Sequence, residues 1–162
     1  MPDIAEVILA AQTVLAIRHE HVNVKELPEL IGHAFEALGA YVAEKGGKIA
    51  DVPYVAFYGL GNDAKLDEND MTIEVVFPLR AALPSNGRLV CREQPGETAA
   101  QVMYTGAYDI SMESTYMTMV RWIQERGGEL SGWAYESYRS GPDVPKAEHV
   151  TLISVPYRQS PE

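Results

Sequence analysis

The feature that most constrains this chain is an internal echo. Tyr41-Val42-Ala43-Glu44-Lys45-Gly46-Gly47-Lys48-Ile49 returns as Trp122-Ile123-Gln124-Glu125-Arg126-Gly127-Gly128-Glu129-Leu130, at an offset of 81 residues. Thr72-Ile73-Glu74-Val75-Val76-Phe77-Pro78 returns as Val150-Thr151-Leu152-Ile153-Ser154-Val155-Pro156, at an offset of 78, the difference being a loop deletion. Each copy reads strand, helix, strand, strand. One such copy leaves a sheet face or edge uncovered, so two are expected to join about a pseudo-two-fold axis with a cleft between them. The expected class is α+β: a single domain over residues 1–162 made of two repeats, about 1–79 and 88–158. Residues 80–87, with Pro84-Ser85-Asn86-Gly87, form the linker.

The elements follow from periodicity. Residues 4–21 are apolar with a short interruption and read as one strand, bent if anything. Leu27, Leu30, Ile31, Ala34, Phe35, Leu38, Tyr41 and Val42 recur at three and four, which predicts a helix over 27–44 with Pro28 in its first turn and Gly46-Gly47 as its stop. Strands are expected at 53–58 and 71–77. Residues 89–93 and 98–104 flank Pro95-Gly96 and read as a hairpin or a bent strand pair. Met112, Tyr116, Met119, Val120 and Ile123 form a second helical stripe, read as core. Strands over 133–138 and 150–155 close the chain, separated by turn-rich residues 140–145.

Composition excludes several functions. A formal net charge of −10 repels nucleic acid and anionic membranes, since phosphate binding depends on Lys and Arg. The same charge favours cationic small molecules or basic partner surfaces. Neither a signal peptide nor a membrane span fits the N-terminal residues, so the expected compartment is the cytoplasm. The single Cys91 is expected to be a small buried side chain in a reducing compartment. His19 and His21 share a strand face, but no further ligands complete a sphere, so neither a metal nor another cofactor is expected.

A groove between two quasi-equivalent halves is a common position for a ligand site, and Trp133-Ala134-Tyr135-Glu136-Ser137-Tyr138 is the stretch expected to face it. Strand alternation puts Glu136 and Tyr138 on one face, and Trp133 and Tyr135 on the other. At the offset of 81, Tyr135 matches Tyr54 and Tyr138 matches Phe57, whereas Glu136 matches Val55. A carboxylate among rings suits pairing with a cation or handling a proton, and competes with the ordinary reading of a solvated strand residue. Glu74 is the converse case, matching Leu152.

The chain resembles the GyrI-like (gyrase-inhibitor-like) family, the effector-binding domain of AraC-type and MerR-type multidrug regulators. The resemblance rests on Tyr104-Thr105-Gly106-Ala107-Tyr108, Trp122-Ile123, residues 133–138 and Thr151-Leu152-Ile153-Ser154-Val155-Pro156. Gly132-Trp133 stands where the family usually has Gly-Pro, adding an indole. The resemblance implies paired strand-helix-strand-strand units, an acidic cleft residue at Glu136, and lipophilic cations or other hydrophobic compounds as ligands. Some stand-alone members hydrolyse cyclopropane-bearing DNA alkylators. The leading expectation is therefore a stand-alone small-molecule binder in which Glu136 offsets ligand charge, with Tyr54, Tyr104, Trp133, Tyr135 and Tyr138 as walls. The first alternative is a hydrolase with Glu136 as general base and a tyrosine, Tyr104 among the candidates, as proton donor. The second is a protein-protein inhibitor such as a gyrase modulator. Without helix-turn-helix segments of its own, a role in transcription regulation would need a separate protein partner.

Overall fold

The computed structural model describes residues 3–106, 110–139 and 143–159. Within them the chain divides into two compact units, neither of them a continuous segment. One draws on Ala10–Phe57 and Asp67–Gly96, the other on Met1–Leu9, Tyr58–Leu66 and Glu97–Glu162.

The first, here the α1 unit, contains β2 (Gln12–Val22), α1 (Leu27–Glu44), β3 (Tyr54–Tyr58, whose last residue falls in the other unit), β4 (Met71–Leu79) and β5 (Leu89–Gln94). Its strands lie in the order β3-β4-β2-β5. β2 pairs antiparallel with β4, Leu15 opposite Phe77, and with β5, Leu15 opposite Cys91. The apolar stripe of α1 buries Ala34, Leu38, Tyr41 and Val42, and Phe35 rests against Phe77 at 5.6 Å between ring centroids. The helix has the span its periodicity predicts. It ends where Gly46 takes φ +66, a conformation that costs a residue without Cβ little.

The second, the α2 unit, contains β1 (Ala5–Leu9), β6 (Glu97–Thr105), α2 (Ile110–Glu125), β7 (Gly128–Leu130), β8 (Trp133–Tyr138) and β9 (Val150–Gln159). The order here is β1-β6-β9-β8, with β7 also pairing β9. Val102 lies opposite Ile153 and Glu136 lies opposite the same Ile153 from the other side of β9. Partners across a ladder share a face, so Val102, Ile153 and Glu136 line one side of this sheet. Met112, Met119, Val120 and Ile123 of α2 pack on that side with Ala100, Val102, Ala134, Ile153, Val155 and Tyr157. Gly127 ends α2 at φ +75, the counterpart of Gly46.

Two expectations need correction. Residues 4–21 are two strands, and β1 leaves β2 to pair with β6. Residues 89–104 hold no hairpin: β5 pairs with β2, whereas β6 pairs with β1 and β9. A strong turn signal at Pro95-Gly96 separates β5 from β6 without making them partners, because burial on other strands decides the pairing. Among the described residues no helix is long and apolar enough to cross a membrane.

Candidate functional site

Glu136 is 8% exposed, on the side of the α2 unit's sheet that α2 covers. Two phenols hold it. Tyr116, one turn after Met112 on the inward stripe of α2, donates its O–H to Oε2, and Tyr138, two residues on along β8, donates to Oε1 at 3.1 Å. Burial pushes the Glu136 carboxyl above the usual carboxylate range, and the two phenol bonds only partly oppose this. Tyr116 is held well above the ordinary phenol range, first by burial, then by the charge of Glu136 and the bond to it. A buried carboxylate is normally matched by a cation. Among the described residues no Lys, Arg or His forms an ion pair with Glu136.

The remaining sequence-derived residues fall into three places. Tyr138 shares the Glu136 face. So does Tyr104: both have Thr151 of β9 as cross-strand partner, from opposite sides, so their Cα atoms stand about 10 Å apart. Tyr104 is 7% exposed, and its hydroxyl sits 2.9 Å from where a Cβ on Gly106 would stand, so that glycine makes room for it. Trp133 and Tyr135, each 8% exposed, lie on the opposite face with ring centroids 3.8 Å apart, and Trp133 stacks on Tyr58 at 5.8 Å. Tyr54 is buried in β3 of the α1 unit. Ala107 and Tyr108, and part of the turn-rich 140–145 segment, lie outside the described residues.

Sequence reasoning missed Tyr116, which periodicity counts as a core ring although its hydroxyl faces a carboxylate. The signal was present: at the offset of 81 Tyr116 matches Phe35. It also missed Glu97 on the Trp133 face, where burial raises the carboxyl and Ser131, Trp133 and Arg158 oppose that rise. His19 Nδ1 lies 2.8 Å from Arg88, His21 Nδ1 lies 2.8 Å from Asp70, and Cys91 Sγ accepts from the Leu83 amide. No group of three or more His, Cys, Asp or Glu suited to a metal occurs among the described residues.

A family model described as the GyrI-like small molecule binding domain matches residues 2–158. Among solved structures, the EcmrR C-terminal domain superposes with a TM-score of 0.82 at 22% identity, covering 99% of both chains. In the EcmrR-DNA complex the match spans 98% of this chain and 58% of that one, at 21% identity and a TM-score of 0.81. A hydrolase from Listeria innocua matches with a TM-score of 0.65 at 9% identity, over 96% of this chain and 91% of its own. SAV2435 bound to tetraphenylphosphonium matches with a TM-score of 0.54 at 12% identity, over 98% and 94%. At these identities the likeness is one of fold. No curated protein matches the sequence.

Proposed function

Because this chain belongs to the GyrI-like small molecule binding domain family, we propose that it binds hydrophobic cations, with Glu136 as counter-charge. The observation that carries this reading is a buried carboxylate held by two phenol hydroxyls, with no cationic side chain paired to it among the described residues. Such a group either keeps its proton or awaits a positive charge from outside. A lipophilic cation supplies that charge with little desolvation cost of its own, and ring faces add about 2 kcal/mol where the contact is dry. Tyr116 covers the carboxylate from α2, so an arriving cation must displace that ring or bond beside it. Tyr138 keeps its hydrogen bond and holds the carboxylate in place meanwhile.

Tetraphenylphosphonium is the apt probe, since a protein of this fold was solved with it bound. Glu136→Gln keeps shape and removes charge. Its affinity for that cation should fall by about 1–3 kcal/mol in calorimetric titration, while triphenylphosphine oxide, a neutral analogue, binds as before. Equal losses for both compounds, or none, would refute the reading.

The raised carboxyl also supports a second reading, hydrolysis of strained electrophiles with Glu136 as general base. The hydroxyls bonded to Glu136 are those of Tyr116 and Tyr138, and they take the proton-donor role first considered for Tyr104. Here Glu136→Gln would leave substrate affinity nearly intact and slow single-turnover water addition roughly 10²–10⁴-fold.

A further inference from the structure

The α1 unit contains a basin of the opposite polarity. Ala16, Arg18, Glu74, Arg88, Val90 and Arg92 line a cavity of about 360 Å³. Ala16 pairs with Val90 and Arg18 with Glu74, so these side chains emerge on one face of the β4-β2-β5 ladder. Leu15, Phe77 and Cys91 alternate to the other face, the one α1 covers through Phe35. The basin therefore lies on the sheet face that α1 does not cover. Three of the chain's 13 Lys and Arg residues meet there, against one glutamate among the lining side chains, in a chain of −10.

The three arginines differ. Arg92 is held by buried Glu74 at 2.6 Å and by Gln94. Arg18 bonds Glu20 at 3.2 Å. Arg88 bonds the Arg18 carbonyl at 3.2 Å and His19 Nδ1 at 2.8 Å, so its guanidinium is positioned by neutral acceptors, and no described carboxylate pairs with it. Beside it Val90 is 45% exposed and Ala16 is buried, which gives the charged rim an apolar floor.

We propose that this basin binds a small organic anion, a carboxylate or phosphate on Arg88 with its apolar body over Val90 and Ala16. Both acceptors hold Arg88 through Nη2, which leaves the N–H donors of Nη1 and Nε to meet the oxygens of such an anion. The volume lies within the usual range for small-molecule sites, roughly 300–1,000 Å³, and would be wasted on a bare ion. The net charge of −10 disfavours a large polyanion. The inference is independent of Glu136, which belongs to the other unit.

The test is calorimetric titration of the full chain with benzoate, phenyl phosphate, inorganic phosphate and benzamide. Saturable binding of benzoate or phenyl phosphate, weaker binding of inorganic phosphate and none of benzamide is expected, and the stronger of the first two names the anion. Arg88→Ala should weaken the bound anion roughly ten- to a hundredfold. Val90→Glu, at an exposed position of β5, should do the same by repulsion and guards against a folding defect in the first variant. The absence of saturable anion binding, or binding indifferent to both basin variants, would overturn the proposal.

Discussion

At the offset of 81 residues, Tyr116, Glu136 and Tyr138 of the α2 unit stand against Phe35, Val55 and Phe57 of the α1 unit. Each position loses its oxygen atoms and keeps roughly its volume. On the α1 side the result is ordinary core: Val55 is fully buried, Phe57 is 6% exposed, and Phe35 packs on Phe77. On the α2 side the same positions form a hydrogen-bonded triad around a carboxyl that burial disfavours in its charged form. A second pair of glutamates sharpens the contrast. Glu74, the strand carboxylate of the α1 unit, is equally buried yet sits 2.6 Å from Arg92. The lesson is that burying a carboxylate is within the reach of this architecture in two forms, one neutralised internally and one not. Only the second leaves a charge for a ligand to meet.

The comparison breaks most visibly if the oil side is made polar. Val55→Glu should cost about 3–5 kcal/mol in denaturant unfolding, the penalty of a buried and unpaired charge. Adding Phe35→Tyr and Phe57→Tyr should restore about 1–3 kcal/mol if the two sites share geometry, and nothing if they do not.

The reverse exchange, Tyr116→Phe with Glu136→Val and Tyr138→Phe, should stabilise the protein by about 1–2 kcal/mol at neutral pH. Its sign with pH follows from the raised carboxyl. In the fold Glu136 keeps its proton to a higher pH than in the unfolded chain, where about 4.3 is usual. The stability linked to that proton is complete below the unfolded value and is lost as pH rises through the native one. The triple variant lacks this loss, so its advantage should be smallest in acid and grow toward neutrality. Melting curves across that range would show a constant offset if Glu136 carried no raised pKa.

The smallest effect is expected from Tyr116→Phe. It removes one of two hydrogen bonds to the carboxylate, costing about 1 kcal/mol of stability, and leaves the charge less satisfied. Tetraphenylphosphonium should then bind somewhat more tightly. Weaker binding would mean that Tyr116 contacts the ligand rather than competing with it.

Sequence made α1 legible because three signals agreed: a 3.6-residue stripe, Pro28 at one end and Gly46 at the other. Glu136 was legible as an asymmetry, an acid where the echo has valine. Its partner Tyr116 was legible only through the same echo, a phenol where the first copy has Phe35, because a hydrophobic pattern records the ring and ignores the hydroxyl. How far Tyr104 stands from Glu136 was not legible, because strand alternation carries no lateral distance and β9 intervenes between β6 and β8. Strand pairing was the least legible level. β1 and β2 have one continuous apolar character, and nothing local to residues 5–9 points to β6.

That last pairing governs how the chain can assemble. Ala5 finds its partner at Gln101, and β5 likewise folds back on β2 instead of on its own neighbour. During synthesis Val7 and Ile8 therefore emerge well before the strand that receives them. At ordinary ribosomal speeds the wait lasts roughly 5–20 s. Through that interval a short apolar strand stays without the partner it has in the fold. Non-local pairings of this kind raise contact order, which slows folding.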